Sequence, residues 1–257
     1  MSNSSLVSYT KLSPNCSKPR NHVIDTITIH HMAGNLTVEQ CGNVFAKTSR
    51  QASSNYGIGS DGRVGLYVDE ANRAWTSGNR ANDHRAITIE VANDDAGVKN
   101  KTWTVSASAY KALIKLCADI CKRNGIKQLI WDSNVLNRKN HKNGANMTLH
   151  KDFAATGCPG PYLESKMPEI AREVNALLGA TPTPTTNEVP VSCTMPIVKL
   201  GSKNRAVKVW QCILDIVPTG VFDEQTQWYT TEWQKKNGLA TDGIVGQATW
   251  TKGLNSL

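Results

Sequence analysis

His150 and Cys158 stand eight positions apart in the stretch Met147-Thr148-Leu149-His150-Lys151-Asp152-Phe153-Ala154-Ala155-Thr156-Gly157-Cys158-Pro159-Gly160. A neutral imidazole and a thiolate are both good ligands for zinc. Two ligands make no site. The third stands far upstream, in Asp25-Thr26-Ile27-Thr28-Ile29-His30-His31-Met32-Ala33-Gly34. Three protein ligands with the fourth position left to water is the pattern of a catalytic zinc. A structural ion would want a fourth protein ligand. His141 is the spare histidine for that, and it falls in a polar loop with nothing to place it.

Which histidine serves depends on the element that carries it. Val23 to His31 alternates as a strand does. Thr26, Thr28 and His30 point one way, and Ile27, Ile29 and His31 the other. His30 therefore shares the polar face, where a cleft opens, and is the expected ligand. His31 is expected to be a hydrogen-bonded structural histidine. A second alternating strand, Ala86 to Val91, turns Ile87, Ile89 and Val91 to the core and sets Thr88 and Glu90 opposite. A carboxylate flanked by apolar neighbours on a central strand is usually there for a reason, although an edge strand could carry it harmlessly.

The remaining elements frame these strands. Residues 1–22 read as an irregular arm. Thr37-Val38-Glu39-Gln40 has capping-box spacing and starts a helix to about Thr48. Ser53 to Val68 reads as a hairpin turning at Asp61-Gly62. Ser106 caps a long helix to about Asn124, which Gly125 stops. Leu129-Ile130-Trp131 reads as a short buried strand, and 132–146 as a polar rim loop. A last amphipathic helix runs from about Tyr162 to Leu178. Strands mixed with helices, without regular alternation, predict an α/β fold with a mixed sheet flanked by helices.

A Pro/Thr-rich segment at 179–195 separates a first domain, 1–178, from a second, 196–257. The second domain repeats itself at an offset of 23 residues. Trp210-Gln211 recurs as Trp233-Gln234, Gly220 as Gly243, Val221 as Ile244 and Thr226 as Thr249. Two such units predict a small all-α, three-helix domain whose halves bury each other. Nothing in it has metal or nucleophile spacing, so it reads as a binding module.

The net charge is +8, and most of it sits on the first domain, with 22 Lys+Arg against 15 Asp+Glu. That excess suits an anionic polymer as partner, such as a wall carrying acidic polymers or a nucleic acid. No basic helix and no nucleic-acid motif accompany it, so nucleic acid is not the expected partner. No apolar run approaches the ~18 residues of a membrane span. The polar start Met1-Ser2-Asn3-Ser4-Ser5-Leu6 does not read as a signal peptide, so the expected location is the cytoplasm of the producing cell. Seven cysteines without a framework spacing argue against a disulfide scaffold. Nothing in the sequence fixes an oligomeric state.

Taken together, residues about 20–178 resemble the type-2 family of zinc-dependent N-acetylmuramoyl-L-alanine amidases, relatives of the peptidoglycan recognition proteins. The resemblance rests on Ile27-Thr28-Ile29-His30-His31, Asn55-Tyr56-Gly57-Ile58-Gly59-Ser60-Asp61-Gly62, Ile87-Thr88-Ile89-Glu90, and His150 with Cys158-Pro159. Residues about 196–257 resemble a three-helix peptidoglycan-binding domain, through Leu200-Gly201-Ser202, the two Trp-Gln pairs and Asp242-Gly243-Ile244-Val245-Gly246. The resemblance implies Zn2+ on His30, His150 and Cys158, with Glu90 as a cleft glutamate, Tyr56 as a tyrosine near the metal, and Thr156 where other members carry lysine or threonine. Trp75, Asn79, Asn82 and His84 are expected beside the groove. The implied partner is peptidoglycan, of a Gram-positive wall, and the layout is that of a phage endolysin acting after release. A host autolysin of the same chemistry and a non-catalytic recognition protein are the alternatives.

Overall fold

Residues 2–180 and 195–254 are described in a computed structural model, as two compact units, one on either side of 181–194. Most of the expected linker thus lies outside the described residues. Along the first unit run β1 (Val7–Thr10), β2 (Cys16–Ser17), β3 (Thr26–His31), α1 (Val38–Phe45), β4 (Tyr56–Ile58), β5 (Val64–Leu66) and β6 (Arg73–Ala74). They are followed by α2 (Arg80–Arg85), β7 (Ala86–Val91), α3 (Asp95–Asn100), α4 (Ala107–Asn124), α5 (Val135–Lys139), β8 (Met147–Leu149) and α6 (Gly160–Leu178). The mixed sheet has the order β1-β5-β4-β7-β3-β8, and β2 pairs with β6 separately. Helices flank it, as the sequence predicts.

The register explains the two faces. β3 runs parallel to β7 with Ile27 beside Ile87, Ile29 beside Ile89 and His30 beside Glu90. On the other side of β3, Ile27 meets Met147 and Ile29 meets Leu149. The isoleucines, Tyr56 and Ile58 join the buried residues of α4 and α6 in one apolar core. Thr28, Thr88 and Thr148 point to the opposite face and are fully buried too. There the hydroxyls of Thr28 and Thr148 meet at 2.7 Å, and the Asn82 amide donates to Thr28 at 3.1 Å. A buried polar layer of this kind stands only because each group is bonded.

Local signals set the ends of the elements. Thr37 and Gln40 form the capping box that opens α1. Ser106 caps α4, and Gly125 ends it at a φ of 70°, a left-handed position that glycine adopts without strain. Gly57 and Gly65 leave room for the Tyr67 ring, which would lie 2.6 and 2.7 Å from an added Cβ. Among the described residues, no helix is long and apolar enough to cross a membrane.

Three readings of the sequence need correction. The N-terminal arm is not irregular, because β1 adds a parallel edge strand to β5. Leu129 to Trp131 joins no sheet. Its backbone is satisfied instead by side-chain amides, with Leu129 bonded both ways to Asn175 and Ile130 donating to Asn146. The 132–146 segment is not only loop, since it contains α5.

The second unit holds α7 (Arg205–Ile213), α8 (Glu224–Lys236) and α9 (Gln247–Leu254). Trp210 sits at its centre, edge-on to Trp233 at 5.1 Å and Trp250 at 5.4 Å. The internal repeat is structural. The Gln211 amide donates to the Val221 carbonyl and the Thr226 hydroxyl, and accepts from the Gly220 amide. Gln234 makes the same three bonds with Ile244, Thr249 and Gly243.

Candidate metal centre

The parallel strands bring three distant residues together at their carboxyl ends, the usual place for a site in such sheets. His30 stands next to the end of β3, and His150 follows β8 directly. Cys158 stands two positions before α6 and is joined to Pro159 by a cis peptide bond. One ligand atom from each lies within 4.8 Å of the others. The Cys158 Sγ is 3.5 Å from His30 Nδ1, and the two histidine rings are 4.9 Å apart by their centroids. Bonds of about 2.3 Å to sulfur and about 2.0 Å to nitrogen, opened to a tetrahedral angle, set sulfur and nitrogen about 3.5 Å apart. The donor set therefore fits zinc. His30 is buried, yet its Nε2 has no hydrogen-bond partner among the described residues.

The electrostatics suit the same reading. Burial holds the His30 imidazole well below its ordinary pKa, with the neighbouring histidines adding to the effect. Burial lowers His150 as well. Both rings are then neutral, the form that binds a metal. Burial pushes the Cys158 thiol far up, so metal loading must expel its proton. Glu90 sits beside His30 on the sheet, with its Oε1 3.9 Å from Nδ1 and its side chain 14% exposed. Its Oε2 has no partner among the described residues. Desolvation pushes this carboxyl up to about 8, opposed only by the Arg50 charge.

Neighbouring groups hold His150 and Cys158 in place. The His31 amide donates to Cys158 Sγ at 3.4 Å. Its ring bonds Asn93 and lies edge-on to Trp103, so His31 is a structural histidine here. The Thr156 hydroxyl accepts from the Cys158 amide at 3.2 Å and keeps its own proton to donate. The His150 turn is anchored by Asp152, which accepts from the Leu149 amide and pairs with Arg138 through bonds of 2.9 and 2.5 Å. Arg138 also lies over the Trp131 ring at 4.2 Å. The sequence reading missed this pair. The signal was present only as Asp152 in the turn after His150, and nothing in the spacing tied it to an arginine 14 residues earlier.

Tyr56 is a correction. It is fully buried in the apolar core, beside Ile89 and so on the face opposite Glu90. Its hydroxyl donates to Glu70 at 2.7 Å and accepts from the Ser4 amide. The structure does not bring it to His30, His150 and Cys158. The groove residues are mostly structural as well. Asn79 caps α2, Asn82 ties β3 to β8, and Trp75 donates to Ser17. His84 accepts from the Asn21 amide, and its Nε2 has no partner among the described residues. His141 bonds the Ala145 carbonyl and stands outside the cluster.

Residues 20–161 match the N-acetylmuramoyl-L-alanine amidase family, and residues 206–252 match a putative peptidoglycan-binding domain. The N-acetylmuramoyl-L-alanine amidase CwlL of Bacillus licheniformis is 26% identical over 203 residues. That alignment covers 74% of this chain and 50% of the relative, so the chain spans about half that protein's length. The solved N-acetylmuramoyl-L-alanine amidase LysC from Clostridium intestinale URNW is 19% identical, covering 68% of this chain and 96% of its own, with a TM-score of 0.44. A mutant endolysin from Bacillus subtilis is 15% identical, covering 65% and 97%, with a TM-score of 0.48.

Proposed function

The chain belongs to the N-acetylmuramoyl-L-alanine amidase family, and on that premise we propose that it hydrolyses the amide joining N-acetylmuramic acid to L-alanine in peptidoglycan. His30, His150 and Cys158 would hold zinc, the first unit would carry the reaction, and the second would hold the enzyme on the wall. The observation that carries this is the convergence of two neutral imidazoles and a thiol within 4.8 Å, with a nearly buried carboxylate 3.9 Å from one of them.

Zinc, when bound, supplies Lewis-acid polarisation of a carbonyl and lowers the pKa of water toward ~7. The residues do the rest. Glu90, kept protonatable by desolvation, takes the proton of the attacking water and delivers it to the leaving amine. Thr156 orients Cys158 through its amide and offers its hydroxyl proton to the developing oxyanion. Losing such a donor costs ~10²-fold or more in rate. Tyr56 takes no part, because its hydroxyl is committed to Glu70. The basic first domain suits a Gram-positive wall with acidic polymers, and the two-domain layout suits a phage endolysin released from the cytoplasm of the producing cell.

The test is a digest of purified Gram-positive wall, with and without a zinc chelator, scored for new N-terminal alanine and for new reducing ends. New alanine that vanishes with chelator and returns with zinc is the expected result. Reducing ends would make the enzyme a glycosidase. An undigested wall would leave a recognition protein.

A further inference from the structure

The internal repeat of the second unit contains its own control. The buried glutamine, glycine and threonine that hold each loop are the same in both halves. The surfaces beside those loops are not. The first half has a cavity of about 300 Å³ lined by Asp215, Val217, Asp223, Gln225 and Tyr229. Twenty-three positions on, the second half has Gly238, Ala240, Gly246, Ala248 and Lys252. The scaffold is shared, and the chemistry of the cavity is confined to one copy.

The first of these positions bears on what the cavity is for. Asp215 has a φ of +56°, and its counterpart Gly238 a φ of +69°. Glycine is the residue this backbone favours, so a carboxylate stands at the mouth of the cavity against local preference. Val217, in the cavity lining, is 77% exposed, and Trp228, next in sequence to the lining residue Tyr229, is 60% exposed. The Trp228 ring lies edge-on to Tyr229 at 5.0 Å. Large apolar groups left in water around a polar cavity mark a contact site.

We propose that this cavity binds a pyranose ring of the peptidoglycan glycan, an N-acetylhexosamine, through Asp215, Gln225 and Tyr229. It rests on the reading that the second unit binds peptidoglycan. A pyranose offers C–H groups on its faces and hydroxyl donors at its rim. The Tyr229 ring and Val217 meet the first, and the carboxylate and amide oxygens accept from the second. The volume lies at the lower end of the ~300–1,000 Å³ range of ligand pockets, which suits one or two rings better than a branched glycopeptide. An anionic wall polymer is disfavoured by the two carboxylates, Asp215 and Asp223, that line the cavity. An ammonium group is a poorer fit. The Asp223 carboxylate already accepts from the Thr226 amide and hydroxyl, which leaves Asp215 as one solvated charge of little selectivity.

The experiment uses the full chain and the N-acetylglucosamine tetramer, which has no muramoyl amide to cleave, with free stem peptide as comparator. Nuclear magnetic resonance should show the tetramer, and not the peptide, shifting amides of residues 215–229. Asp215→Gly should keep or raise the melting temperature while weakening tetramer binding ~10-fold or more, the loss of one hydrogen bond to a charged group. Tyr229→Ala should weaken it too, and Lys252→Ala should leave it unchanged. Wild-type affinity in Asp215→Gly, or shifts caused by the peptide alone, would overturn the assignment. Hydrogen exchange of the full chain on intact sacculi separates this from the underlying reading. Protection of the second unit by sacculi with no response to the tetramer rejects the sugar alone. No protection of the second unit rejects its binding to the wall.

Discussion

Replacing Arg138 with methionine strips the partner from a buried carboxylate one turn from a proposed metal ligand. The Arg138 and Asp152 side chains are 4% and 1% exposed. Breaking such a pair on one side costs about 3–5 kcal/mol, because the remaining charge is left unpaired away from water. Arg138 also donates to the Asp132 and Ser133 carbonyls, which places the expected cost toward the upper end. For a unit of this size, 3–5 kcal/mol lowers the melting temperature by about 6–20 °C. Calorimetry of the full chain reads this as a shift of the first-unit transition. Removing both charges, as Arg138→Met with Asp152→Leu, leaves no unpaired ion, although it takes a hydrogen bond from the Leu149 amide and from the Asp132 and Ser133 carbonyls. The double variant should then lose only about 1–3 kcal/mol, less than either single change. Because the pair anchors the His150 turn, zinc affinity in a chelator competition should also weaken by ~10–100-fold in Arg138→Met. A single-variant cost below about 1 kcal/mol, or a double variant costing the sum of the two, would refute the reasoning.

Three further outcomes follow from named contacts. Tyr56→Phe removes the bonds to Glu70 and Ser4 and should cost about 1–3 kcal/mol in urea unfolding, with the rate per zinc-loaded enzyme unchanged; a large loss of rate would return Tyr56 to the site. Glu90→Gln should lower kcat by ~10²–10⁴-fold while zinc content by elemental analysis stays the same; full activity would remove Glu90 from the mechanism. Burial raises the Asp25 carboxyl, but hydrogen bonds from Arg85 and Thr26 outweigh this and hold it below the ordinary value. Its folded pKa is thus the lower one, so the pair's contribution is complete above the ordinary carboxylate pKa of ~3.9 and is lost as pH falls through the folded value. Both side chains are about a third exposed, so that contribution is at most ~1 kcal/mol. Urea unfolding from pH 7 to pH 3 should show Arg85→Gln below the wild type at neutral pH and converging with it in acid.

What the sequence made legible was what repeats or stops locally. Alternation placed His30 and Glu90 on one face, and the structure sets them side by side. Capping residues marked both ends of α4 to the residue. The repeat at 23 residues reappears as two glutamines with matching bonds. The failures share one cause, which is long-range pairing. β1 is legible only through β5, the Leu129 segment only through Asn175, and Asp152 only through Arg138.

Tyr56 is the instructive exception, because parity along the chain could have placed it. Side chains on a strand alternate, and neighbours in register share a face. Once β4 lies beside β7 with Gly57 opposite Glu90, the residue before it must point away from the cleft. Gly57 itself faces the cleft side and cannot be enlarged, because the Tyr67 ring occupies the space that a Cβ would take. The motif Asn55-Tyr56-Gly57-Ile58 therefore places its aromatic ring in the core and its glycine under another tyrosine. A resemblance in residue type set Tyr56 near the metal, and the two-residue period of the strand turns it to the other face.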